Sequence, residues 1–78
     1  MGNPGNETTI QFLTKKPGNL KLNLCDATGR ILKTLTEEDI EAGLKTFTVN
    51  AEIYSEGIYW VQAIFEGKVF AKKWLKVE

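Results

Sequence analysis

Histidine is absent from this chain of 78 residues, cysteine occurs once, at Cys25, and serine once, at Ser55. Each absence removes a class of chemistry. Without histidine, neither the thiol nor the hydroxyl has its usual general base, so nucleophilic catalysis of the Cys/His or Ser/His kind is excluded. A single thiol forms no internal disulfide, and alone it cannot supply the Cys/His ligand set of structural zinc. Ten acidic and ten basic residues cancel, so overall charge draws the chain to neither nucleic acid nor an anionic membrane. No apolar run approaches the roughly 20 residues of a spanning helix. Met1-Gly2-Asn3-Pro4 has no apolar core and is no signal peptide. The start reads as a piece cut from a longer protein, with Met1-Gly2 added for expression.

What remains is one small domain, too small for a core plus a separate catalytic cleft. The acidic stretch Glu37, Glu38, Asp39 and Glu41 lacks the Asp-x-Asp-x-Asp-Gly spacing of a calcium loop and reads as solvated chain. The expectation is therefore no enzyme, no cofactor and no metal.

Residues 1–7 read as a polar lead with Pro and Gly, and residues 8–78 as the domain. Residues 8–14 alternate, with Ile10 and Phe12 on one side, as a half-buried strand does. Lys15-Lys16-Pro17-Gly18-Asn19 is a turn. Residues 20–25 alternate cleanly, Leu20, Leu22 and Leu24 inward, Lys21 and Asn23 outward, with Cys25 a thiol of the second face or partly exposed. Asp26-Ala27-Thr28-Gly29 places Asp first and Gly fourth in a β-turn, where the carboxylate accepts backbone N–H groups and Gly forms the bulge. It closes a hairpin onto residues 30–35. Residues 36–43 suit a loop better than one helical turn from Thr36 to Gly43. Residues 44–50 form another strand, Phe47 and Val49 inward, and residues 51–57 a loop.

The last third, residues 57–78, organises the rest. It holds both tryptophans, Trp60 and Trp74, and four of the ten basic residues. Glu66-Gly67 marks the turn of a terminal antiparallel hairpin. A three-residue loop, Phe65-Glu66-Gly67, closed by a G1 bulge pairs Ala63 with Val69, Val61 with Ala71 and Tyr59 with Lys73. Tyr59, Val61, Ala63, Val69, Ala71, Leu75 and Val77 then face the core. Ile58, Trp60, Gln62, Ile64, Phe70, Lys72, Trp74 and Lys76 form the second face. A two-residue turn shifts the pairing by one and mixes these sets. About seven short strands with turns between them predict an all-β, immunoglobulin-like antiparallel sandwich.

Five segments, taken in order, resemble a known family. They are residues 3–12, Leu24-Cys25-Asp26-Ala27-Thr28-Gly29-Arg30-Ile31-Leu32, Ala42-Gly43, Gly57-Ile58-Tyr59 and Lys72-Lys73-Trp74-Leu75-Lys76-Val77. Their spacing is similar to that of the C-terminal sorting domain of the type IX, or Por, secretion system of Bacteroidetes-type bacteria. In that pattern Asp26, Gly29 and Arg30 match a first motif, Gly57 and Tyr59 a second, and Lys73, Lys76 and Val77 a terminal one. Cys25 stands where the family usually has an aromatic residue, and Trp74 where an aliphatic one is usual. The resemblance implies a seven-stranded immunoglobulin-like fold serving as a folded address on a cargo protein. Its partners would be the outer-membrane secretion machinery, a sortase-like surface peptidase and the upstream cargo domain. The route would run through the periplasm to the cell surface or beyond.

Structural readings stand beside these. Asp26 and Gly29 serve the turn. Tyr59 packs and bonds its hydroxyl to backbone. Lys68, Lys72, Lys73 and Lys76 are either an address for an acidic receptor or charges that keep an edge strand from aggregating. The recognition residues are expected to be Lys72, Lys73, Trp74, Lys76 and Val77. Two other functions fit the composition: a generic immunoglobulin or fibronectin-like spacer or adhesion module, and a carbohydrate-binding module stacking sugars on Trp60 and Trp74.

Overall fold

The computed structural model describes residues 7–50 and 54–76. These contain six strands and no helix: β1 (Glu7–Thr14), β2 (Gly18–Cys25), β3 (Ile31–Ile40), β4 (Gly43–Asn50), β5 (Gly57–Phe65) and β6 (Lys68–Lys76). All pairings are antiparallel. β1 and β4 form a two-stranded sheet, and the other four a sheet in the order β3-β2-β5-β6. The two sheets face each other as the expected sandwich, with six strands among the described residues rather than seven.

The core follows from the alternation of β2 and β5. Leu20, Leu22 and Leu24 are fully buried and stand opposite Phe65, Ala63 and Val61. Side chains of that size each contribute about 1.5–3 kcal/mol on burial. Ile10 and Phe12 of β1 and Phe47 of β4 close over them from the smaller sheet. β2 is central and buried on both faces: Asn23 and Cys25, which point away from the core, are also inaccessible. Asn23 is satisfied there. Its amide donates to Gln62 Oε1 at 3.0 Å, and its carbonyl oxygen accepts from Thr34 Oγ1 at 2.9 Å.

Two expectations are corrected. Residues 36–40 are not loop but the second half of β3, paired from Lys21↔Glu37 to Gly18↔Ile40. The acidic run is solvated as expected, but as the edge of a sheet, where charged side chains discourage pairing with other chains. Asp39 accepts a bond from Asn19 Nδ2 at 3.2 Å, and Ile40 tucks into the core at 6% exposure.

The second correction is the register of the terminal hairpin. Its loop has two residues, Glu66 and Gly67, both at positive φ (49° and 81°), and the pairs are Phe65↔Lys68, Ala63↔Phe70, Val61↔Lys72 and Tyr59↔Trp74. Glutamate seldom adopts positive φ. Here its carboxylate is anchored, accepting the backbone N–H of Asn19 at 2.8 Å. The tight turn also keeps Phe65 in strand β5, buried, with its ring 5.4 Å from that of Phe12.

Candidate recognition surface

The register decides which side chains the terminal strand can show. Opposed residues of an antiparallel pair share a face, so Phe70, Lys72, Trp74 and Lys76 stand on the inward side with Ala63, Val61, Tyr59 and Gly57. Val69, Ala71, Lys73 and Leu75 turn outward with Ile64, Gln62, Trp60 and Ile58. The one-residue shift thus reverses the expected assignment of every side chain on β6. Val69 and Leu75, expected in the core, are 61% and 59% exposed.

Trp74 and Lys76 belong to a built corner. The Tyr59 ring lies 5.2 Å from Trp74 and 5.8 Å from Tyr54. Its hydroxyl donates to the Ser55 carbonyl at 2.6 Å. Lys76 is buried, and its ammonium donates to the Tyr54 carbonyl at 2.9 Å. Two side-chain donors from adjacent strands therefore satisfy carbonyls of the chain entering β5, and the rings fill the space between. Gly57 opens β5 beside them, opposite Lys76.

Lys72 and Lys73 are both exposed, one on each face of β6. Val77 lies outside the described residues. Of the residues expected to be read, the structure therefore brings Trp74 and Lys76 together with the second-motif residues Gly57 and Tyr59. Lys72 shares the inward face with Trp74 but lies outside the corner, and Lys73 turns to the other face. Trp60 and Trp74 stand on opposite faces, so they cannot form one sugar-stacking platform.

The first motif lies at the β2–β3 turn. Asp26 Oδ1 accepts from Thr28 Oγ1 at 2.7 Å, from Arg30 N at 2.9 Å and from Thr28 N at 3.0 Å. Arg30 Nε sits 3.3 Å from Oδ2. Gly29 N donates to the Asp26 carbonyl at 2.9 Å, and Gly29 has φ 95°, which an L-residue with a branched side chain resists. The hydrogen bond from the Thr28 hydroxyl, then that from Arg30 N–H, holds the Asp26 carboxyl below its ordinary pKa. Asp26, Gly29 and Arg30 are in this sense a self-contained turn. Next to it, burial first and the Asp26 charge second push the Cys25 thiol up, which disfavours the reactive thiolate.

Sequence reasoning missed the Thr34, Asn23 and Gln62 ladder and the anchoring of Glu66. The first had a faint signal, a polar residue in each of three strands. The second joins positions 47 residues apart and had none.

The outer face of β5 and β6 carries exposed Ile58, Val69 and Leu75 around half-buried Trp60, with Lys73 as the one charged side chain among the cross-strand pairs of that face.

A family model described as the secretion system C-terminal sorting domain matches residues 3–77. No curated protein and no solved structure gives a significant match to the chain. The family match spans nearly the whole chain and includes both the Asp26 turn and the Tyr59 corner.

Proposed function

Because the chain belongs to the secretion system C-terminal sorting domain family, we propose that it directs a fused cargo protein across the outer membrane through the type IX machinery. Recognition centres on β6 and what flanks it. Lys72 and Lys73 are charges a receptor can reach, Trp74 and Lys76 hold the end of the strand in place, and Val77 belongs to the same set of residues read. A sortase-like surface peptidase then acts on the exported protein, which passes through the periplasm on its way to the surface. The domain works as a folded address and carries out no catalysis.

The observation that carries this reading is the family match across residues 3–77. The geometry supports it by giving the terminal strand a fixed end and an exposed stretch, the arrangement of an element held for another protein to read.

The test is export of a reporter fused between a signal peptide and this domain in a type IX-competent bacterium. Reporter in the medium or on the surface is the expected result. Retention in the periplasm of a folded fusion, with export of a control sorting domain intact, contradicts the proposal and returns the domain to the class of spacer modules.

A further inference from the structure

Two strands cannot cover four. The ring of Phe12 in β1 lies 5.4 Å from Phe65 in β5 and 6.1 Å from Phe70 in β6, so β1 sits over the β5–β6 side of the larger sheet. Beyond its free edge an open groove of about 600 Å³ remains. One wall is residues 8–12 of β1, the other residues 70–74 of β6, and the floor is Leu22, Val61 and Ala63. Among the described residues no strand pairs with that edge of β1.

The walls have the form of a strand site. Five residues of edge extend about 17 Å, and their outward N–H and C=O groups can template a further strand. A strand laid along β1 would become the third of the smaller sheet and lower its side chains onto the inward row of β6. One added to β6 would only widen the larger sheet sideways and leave the groove unfilled. The inward row reads Phe70, Lys72, Trp74, with Phe70 49% exposed and Lys72 exposed. The groove's charged lining groups are Lys72 and Lys73, both cationic, and Lys73 points to the other face. The complement of that row is apolar, acidic, apolar at alternate positions.

We propose that the groove between β1 and β6 accepts an extended segment of a partner protein as an added strand on β1, its downward side chains being apolar, acidic and apolar. Main-chain bonds to β1 supply register-independent affinity, and Lys72 sets the register by taking the acidic side chain between two aromatic rings. The inference deepens the sorting reading by stating what kind of segment the machinery would offer, and it rests on that reading only there.

The probe is a capped seven-residue peptide with threonine at odd positions and valine, glutamate, valine at even ones, titrated into the isotope-labelled 78-residue domain. Alternate backbone amides of residues 8–12 should shift and gain protection from hydrogen exchange. The Lys72→Glu variant should bind this peptide about tenfold more weakly and bind a peptide with lysine in place of glutamate about tenfold more tightly. A peptide N-methylated along one edge should not bind. Protection on β6 instead of β1, absence of shifts at millimolar peptide, or indifference to the charge exchange would overturn the proposal. So would protection of β1 without peptide that disappears on dilution, because the groove would then belong to a second copy of the chain. Because binding is read on the isolated domain, a failure here leaves reporter export to decide the sorting reading separately.

Discussion

The inward row of β6 repeats one pattern, an aromatic residue and then a lysine two places on: Phe70 and Lys72 toward the turn, Trp74 and Lys76 toward the other end. The two halves meet different surroundings. Phe70 and Lys72 lie beside the free edge of β1, where the smaller sheet stops, and both are exposed. Trp74 packs against Tyr59, and Lys76 reaches the Tyr54 carbonyl and is 7% exposed. Identical residue chemistry thus serves structure at one end of the strand and remains free for contact at the other. What differs is what packs beside each pair, the Tyr54–Tyr59 corner at one end and the open edge of β1 at the other, which no local pattern in β6 encodes.

The sharpest way to break this comparison is to reverse both lysines in turn. Lys76→Glu sets a carboxylate against a carbonyl in a buried corner and should cost about 3 kcal/mol or more, visible in urea melts. Lys72→Glu should change stability by less than about 0.5 kcal/mol. Equal losses from the two would erase the distinction between the halves.

Tyr59→Phe keeps the ring stack and removes only the hydroxyl that serves the Ser55 carbonyl. A loss of about 1 kcal/mol is expected. The Tyr54–Glu56 backbone amides should also exchange faster than the rest of the sheet, and uniform exchange would show that the corner is held by its rings alone.

Gly18→Ala tests the opposite end of the hairpin. A Cβ there would stand 2.6 Å from Glu66 Cγ, so the carboxylate must leave Asn19 N–H and the strained turn loses its anchor. About 1 kcal/mol should be lost, and Glu66→Ala should abolish most of the difference between the two backgrounds. Additive losses would mean that Glu66 does not pin the turn.

These substitutions also mark where the sequence was readable. The inward leucines of β2, the Asp26 turn and the sandwich itself follow from alternation and turn chemistry within a few residues. The register of the terminal hairpin does not. A glutamate before Gly67 favours a three-residue loop by local preference, and a contact with Asn19, on β2 of the same sheet, overrides it. With that one shift, Trp74 and Lys76 moved from the surface to the corner, and Val69 and Leu75 moved the other way. The length of β3 was hidden for a related reason: an acidic edge strand and an acidic loop look alike until the partner strand is known.

The Asp26 turn offers a smaller contrast, since it depends on its own residues rather than on contacts from another strand. Its carboxyl pKa is lowered in the folded protein from an ordinary value of 3.8. The stabilisation from the ionised form is therefore complete above that value and is lost as pH falls below it through the folded pKa. Stability of the parent should decline with acid more steeply than that of Asp26→Asn as pH falls below about 4, by a margin well below the effect of Lys76→Glu. Parallel acid profiles would show that the Asp26 carboxylate contributes nothing to the turn.

The most direct test of β6 as the surface that is read is export of a reporter carrying Lys72→Glu together with Lys73→Glu, measured beside the melting temperature of the same domain. A folded domain with an unchanged melting temperature and strongly reduced export is expected. Normal export of that folded variant would contradict the claim that the exposed stretch of β6 is what the machinery reads.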